Sequence, residues 1–129
     1  MTGYSVEIKE SSRDLTVREK IALKDYSNAV ALDTALDDVD QLTIFPIAYV
    51  VLSVHNEHSK QDKDYEKVVI IDNAGNKYVT GSQSFFTAFK DIFDTMAKEA
   101  PDEEYAIDVF KKSSKNYSGK SFISCALAL

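Results

Sequence analysis

Apolar residues are most regularly spaced in the middle of the chain, where they predict one long helix. They recur there with the 3.6-residue period of a single helix face, at Phe85, Phe86, Phe89, Ile92, Phe93 and Met96. Ser82 or Ser84 can cap the free N–H groups at the start of this helix. Pro101 follows its end, where a helix cannot easily continue.

Strand-like segments lie on both sides of this helix. They are rich in β-branched and aromatic residues, which fit a pleated, half-buried surface. Pro46 lies near the start of the first segment, where a missing N–H does least harm. Asp72–Asn76 is predicted as a turn in which Gly75 adopts a positive φ. The five predicted strands are Thr43–Val54, Tyr65–Ile71, Lys77–Thr80, Tyr105–Phe110 and Phe122–Leu129.

The first forty residues have a weaker pattern. Tyr4–Ile8 alternates apolar and polar residues, as an edge strand does. Thr16 and Glu19 have the spacing of a capping box, which predicts a short helix. Asn28–Leu36 fits a strand or a helix equally well.

The element order indicates a mainly β protein. Three antiparallel strands, a helix and two further strands are the order of an OB-fold, a small Greek-key barrel with its helix between strands three and four. A parallel βαβ arrangement fits less well, because only one long helix occurs among five strands. We therefore expect a single OB-like domain over residues 1–129, with residues 1–40 as an N-terminal extension.

Composition narrows the function classes. The 129 residues include 15 Lys and Arg against 21 Asp and Glu, which gives a formal net charge of -6. An acidic protein is a poor candidate for coating duplex DNA through its overall charge. A local basic patch can still act inside an acidic molecule, because exposed charges are screened over about 8 Å at physiological salt.

The cellular compartment is predicted from what the sequence does not contain. No apolar run approaches the ~18 residues of a membrane span. Met1–Glu10 does not resemble a signal peptide. A lone cysteine cannot form a disulfide within the chain. We therefore expect an intracellular, cytoplasmic protein.

No pattern of catalytic or metal-binding residues stands out. Cys125 lies among apolar residues that would keep its thiol protonated. His55 and His58 lack an evident third or fourth ligand. The acidic groups at 33–38 and 102–104 match no metal signature. We therefore expect a protein that is not an enzyme and has no catalytic residues, no metal and no cofactor.

One acid-free segment combines the residues that bind phosphates and bases. Lys side chains neutralise phosphates, Asn donates to phosphate oxygens and Tyr stacks on bases. In an OB-fold this loop would join strands four and five, one of the two loops that clasp oligonucleotides. A charged hairpin tip that only keeps the protein in solution is the alternative. The candidate residues are Lys111, Lys112, Lys115, Asn116, Tyr117 and Lys120.

Two segments of the chain, Asn76–Phe85 and Ser114–Cys125, resemble small single-stranded-DNA-binding proteins carried by phages and mobile elements of Gram-positive bacteria. Val54–Asn56 and Tyr65 fit the same resemblance. It covers the chain from about Leu42 onwards. It implies an OB-like fold, sequence-tolerant binding of single strands during DNA replication or recombination, and no enzymatic activity.

Single-stranded DNA is therefore the expected partner, together with replication or recombination proteins. The strands would present further candidate binding residues, namely Tyr49, Tyr65, Lys67, Lys77 and Tyr78. Stacking and phosphate contacts suit RNA as well as DNA. The alternative hypothesis is a protein-interaction module whose acidic stretches, Asp33–Asp40 and Asp91–Glu104, meet a basic partner. A homo-oligomer also stays open, because Tyr4–Ile8 could pair with the sheet edge of a neighbour.

Overall fold

The structure is a computed structural model that describes residues 4–12, 14–25, 28–57, 64–113 and 121–128. It contains eight strands and three helices in these ranges. In chain order they are β1 (Tyr4–Ser11), α1 (Val17–Lys24), β2 (Val30–Ala31), α2 (Leu32–Asp38), β3 (Gln41–Ile44), β4 (Pro46–Asn56), β5 (Asp64–Asp72), β6 (Lys77–Thr80), α3 (Gln83–Glu99), β7 (Ile107–Ser113) and β8 (Ser121–Leu127).

The chain divides into two compact units, and each unit is built from two separate stretches of sequence. The first unit comprises Met1–Ala31 and Ile47–Gly81. The second unit comprises Leu32–Pro46 and Ser82–Leu129. These boundaries do not follow the predicted N-terminal extension, since residues 1–40 contribute to both units.

The first unit is built on a five-stranded sheet with the strand order β1-β4-β5-β6-β2. β1 is antiparallel to β4, β5 is antiparallel to β6, and the short β2 is parallel to β6. The predicted edge strand at the N-terminus is thus confirmed. The core of the first unit forms where Leu23 of α1 packs against buried side chains of the sheet, namely Val50, Leu52, Val54, Val69 and Val79.

Helix α1 is held at both ends by side chains. At its start the Thr16 hydroxyl accepts from the Glu19 N–H, and the Glu19 carboxylate accepts from the Thr16 N–H, which is the predicted capping box. At its end Lys77 Nζ donates to the carbonyls of Ala22 and Asp25, both at 3.1 Å. A lysine there satisfies free carbonyls and complements the helix dipole.

The hairpin between β5 and β6 is organised by one buried carboxylate. Asp72 accepts from the N–H groups of Ala74 at 3.0 Å and Asn76 at 2.8 Å. It also accepts from the Asn76 side chain and the Tyr78 hydroxyl, each at 3.1 Å. Gly75 has a φ of 88°, as the turn sequence predicts.

The second unit packs α3 against the antiparallel sheet β3-β7-β8. Phe85 and Phe89 are fully buried, with ring centroids 5.7 Å apart. Of the two predicted caps, Ser82 is the N-cap, and its hydroxyl accepts from the Phe85 N–H. Ser84 instead donates to the carbonyl of Ile123 on β8 at 2.9 Å. The predicted helix is therefore confirmed, and of its phenylalanines Phe85 and Phe89 are buried in the core, whereas Phe86 and Phe93 are half-buried.

The prediction of a mostly β protein is confirmed, but the predicted closed barrel is wrong. The described strands form two sheets without a closed barrel, and the long helix follows β6 instead of the third strand. The predicted strand Thr43–Val54 is in fact two strands, which meet at Pro46 and join different sheets. Proline lacks the N–H that would continue the hydrogen-bonding ladder, so the strand breaks there. Asn28–Leu36, left open above, contains β2 and most of α2.

Candidate nucleic-acid interface

The outer face of the three-stranded sheet carries exposed aromatic and basic side chains near one end of β7 and β8. Successive side chains of a strand point to opposite faces. On β7 and β8, Val109 and Cys125 are paired and buried on the inner face. Their neighbours in sequence therefore face outward, and Thr43 donates to Asp108 across this outer face at 2.9 Å.

A cation and an aromatic side chain are direct cross-strand partners on this face. Lys112 lies opposite Phe122, and Phe110 lies opposite Ser124. Lys112 is exposed, Phe122 is 36% exposed and Phe110 is half-buried. Phe110 and Phe122 are diagonal neighbours, which places their Cβ atoms about 7 Å apart. We call Phe110, Lys112 and Phe122 the outer-face cluster.

The outer-face cluster includes only one residue that the sequence predicted. The sequence predicts Lys112 as a binding residue, but it predicts Phe110 and Phe122 only as strand residues. The period-2 alternation around them carried part of the signal, since each alternates with residues that are buried here. The missing part was the register of β7 against β8, which the sequence alone does not give.

The acid-free segment 111–120, which we call the lysine-rich segment, is described only in part. Lys111 ends the inner face of β7, where it is exposed and paired with Asp37 of α2. Lys115, Asn116, Tyr117 and Lys120 lie outside the described residues. Their predicted contacts therefore stay predictions.

Four predicted candidates of the first unit already have structural roles. Lys67 Nζ lies 5.7 Å from the centroid of the Tyr65 ring, which itself packs against the core. Lys77 caps α1, and Tyr78 donates to Asp72. Burial and this hydrogen bond raise the pKa of the Tyr78 hydroxyl.

Tyr49 is buried in β4, and its hydroxyl donates to Glu10 of β1 at 3.1 Å. Stacking needs an exposed ring face. The structure therefore gives a base no access to this ring, and Tyr49 is not part of the interface considered below.

His55 carries the most unusual ionisable site of the first unit. Its Nδ1 lies 2.6 Å from Asp64, and its Nε2 lies 2.7 Å from Glu57. The hydrogen bond to Asp64, and then the one to Glu57, raise the pKa of the imidazole above its ordinary value. Within the described ranges, no group of three His, Cys, Asp or Glu side chains could hold a metal ion.

We expect this site to make the stability of the first unit fall as pH rises above the ordinary pKa of histidine. Because the folded pKa is raised, the two ion pairs stabilise the fold fully below the ordinary pKa of 6.5 and are lost as pH rises through the folded pKa. NMR titration should therefore report a His55 pKa above 6.5. Asp64→Asn should lower that pKa by more than Glu57→Gln does. An unchanged His55 pKa in Asp64→Asn would contradict the assignment.

Cys125 does not have the properties of a nucleophile. It is buried on the inner face of β8, and burial raises the pKa of its thiol to about 12. The thiolate is the reactive form, so this cysteine is unreactive at neutral pH.

The acidic stretches that suggested a protein partner lie on the surface of the second unit. Asp33, Asp37, Asp38 and Asp40 are all exposed, as are Asp102, Glu103 and Glu104. Solvated acidic faces are common on proteins, so exposure alone does not define a partner. No helix in the described part of the chain is long and apolar enough to cross a membrane.

Comparison with known proteins adds no further assignment. No protein family, curated protein sequence or solved structure matches this chain.

Proposed function

We propose that this protein binds single-stranded nucleic acid, DNA in the first instance, without strong sequence preference. The observation that carries the proposal is the outer-face cluster, in which the exposed ring of Phe122 lies directly opposite Lys112. An exposed ring offers a stacking surface to any base, and the adjacent ammonium group attracts the phosphate that follows it. Other sheets that bind single strands also stack bases on aromatic side chains.

The position of the cluster within the sheet supports the same function. The cluster lies where β7 ends and β8 begins, and residues 114–120 of the lysine-rich segment connect the two strands in the sequence. That segment adds Lys115 and Lys120 to the basic residues and contains no acid. The resemblance of Asn76–Phe85 and Ser114–Cys125 to single-stranded-DNA-binding proteins of phages and mobile elements agrees with this proposal. The resemblance extends the proposal to a role in DNA replication or recombination.

The proposal predicts that Phe122→Ala weakens binding to a fluorescent oligo(dT) by about 5- to 150-fold. One stacked base contributes about 1–3 kcal/mol, and each 1.4 kcal/mol is tenfold in affinity.

Lys112→Ala should make the dependence of log K on log salt shallower by about 0.7, the share of one single-strand phosphate contact. Affinities are measured by fluorescence anisotropy from about 50 to 200 mM salt.

Two control variants separate the site from general effects. Phe45→Ala removes another exposed phenylalanine of the second unit, which is 42% exposed and lies next to the opposite end of the sheet. Lys98→Ala removes an exposed lysine of α3. Both controls should bind like the wild type, and thermal melting confirms that all variants fold. Equal affinities for Phe122→Ala and Phe45→Ala would remove the outer-face cluster from the interface.

The protein-interaction hypothesis makes the opposite prediction. If no oligonucleotide binds at about 50 mM salt, where phosphate contacts are strong, the single-strand proposal fails. A stoichiometric complex with a basic protein, lost on neutralising Asp38 and Asp40, would then favour the exposed acidic surface as the functional one.

A further inference from the structure

Lys111, a cation next to the proposed interface, is engaged in an ion pair with Asp37. Lys111 Nζ donates to Asp37 Oδ1, and the two side chains are 36% and 66% exposed. Both belong to the second unit and line an open cleft of about 410 Å³, together with Phe122 of the outer-face cluster. Lys111 is therefore accessible to solvent on the inner face of the sheet, and it is the next residue in the chain to Lys112 of the outer-face cluster.

The two residues meet because Asp37 follows a buried leucine of α2 and Lys111 follows the buried row of β7. On α2, Leu32 and Leu36 are buried one helical turn apart. Asp33 and Asp37 follow them by one position each and so form an exposed acidic ridge. On β7, Ile107 and Val109 face the core, and Lys111 is the next residue in that row, at the margin of the sheet.

We infer that Asp37 is an intramolecular competitor of nucleic acid. Its carboxylate binds Lys111 in the place of a nucleic-acid phosphate and thereby limits the affinity for single strands. This inference rests on the proposed function and assigns a regulator to that site. A carboxylate oxygen and a phosphate oxygen are alternative acceptors for the N–H that Lys111 donates to Asp37, so a phosphate competes with Asp37 for that bond. Exposed lysine–carboxylate pairs are weak, so a phosphate can displace Asp37 at modest cost.

The inference is tested by a double-mutant cycle at positions 37 and 111 with an oligo(dT) probe. Asp37→Asn should raise the affinity about two- to fivefold, the range that breaking one exposed ion pair represents. The same substitution in the Lys111→Ala background should change the affinity much less, because the competition acts through Lys111.

Asp38→Asn is the matched control. It removes the same charge from the next residue of α2, whose side chain is also exposed. It measures the general effect of a less acidic protein on binding, and this effect should be below that of Asp37→Asn and equal in both backgrounds at position 111. Salt reduces the general effect, since exposed charges are screened.

The outcomes separate this inference from the proposed function. If the wild type binds oligo(dT) but Asp37→Asn has the affinity of Asp38→Asn, the competition is excluded and the proposed function stands. An equal gain from Asp37→Asn with and without Lys111 also excludes it, because the carboxylate then repels the strand directly. If the wild type does not bind, the proposed function and the competition fail together.

Discussion

Replacing Phe89 by alanine is expected to destabilise the protein by about 3–5 kcal/mol, the usual cost of removing a buried aromatic ring. Phe89 is 0% exposed and lies at the centre of the aromatic row on α3. Its ring centroid is 5.7 Å from that of Phe85 and 5.5 Å from that of Phe93. Alanine would leave a cavity and remove both ring contacts.

The effect is large compared with the total stability of a small protein, about 5–15 kcal/mol. Thermal unfolding should shift down by roughly 10–20 °C. Phe86→Ala is the control, since Phe86 is the adjacent residue on α3 but only half-buried; it should cost less than half as much. Phe89→Leu keeps most of the volume and provides a folded variant if Phe89→Ala does not accumulate. Equal losses at positions 86 and 89 would contradict the packing described here.

Replacing Asp72 by alanine is expected to cost about 3–5 kcal/mol as well, although Asp72 is polar. Its carboxylate is buried and accepts four hydrogen bonds within the β5–β6 hairpin. Hydrogen bonds to a charged group each contribute about 1.5–3 kcal/mol, and donors left unsatisfied in a buried site add a further penalty. Tyr78→Phe removes one of the four and should cost about 1.5–3 kcal/mol.

The pH dependence provides an independent check on Asp72. Burial by itself would raise the pKa of this carboxyl, but the hydrogen bonds from Asn76, Tyr78 and Ala74 outweigh it and hold the pKa below the ordinary 3.8. The stabilisation is therefore complete above that ordinary value and is lost as pH falls through the folded pKa. Urea midpoints measured from pH 5 downwards should fall less steeply in Asp72→Ala than in the wild type. Parallel curves would show that Asp72 does not titrate in this range.

The elements that the sequence predicted correctly are those encoded by neighbouring residues. Helix α3 follows from a repeat of phenylalanines and a serine cap, and the β5–β6 hairpin follows from Asp72 and Gly75. The capping box of α1 is equally local, since Thr16 and Glu19 are three residues apart. In each case a polar side chain of the defining sequence also satisfies backbone N–H groups of the element.

The sheet topology was not predicted because it depends on distant partners. β3 and β4 are contiguous in sequence and similar in composition, yet β3 pairs with β7 and β4 pairs with β1. The burial of Tyr49 is not evident from the sequence for a related reason. Residues 48–52 of β4 are all buried, so no polar alternation marks an outward side. Likewise, Phe122 and Lys112 form a pair only through the register of β7 against β8.

The interleaving of the two units has a consequence for synthesis of the chain on the ribosome. The chain passes from the first unit to the second after Ala31, returns after Pro46, and leaves again after Gly81. All segments of the first unit have therefore been made once Gly81 is added, so this unit can fold while the rest is still being translated. β3 is already present by then, but its partner β7 is not, so the second unit waits with an unpaired strand. We expect the unpaired edge of β3 to be open to pairing with another chain during that interval.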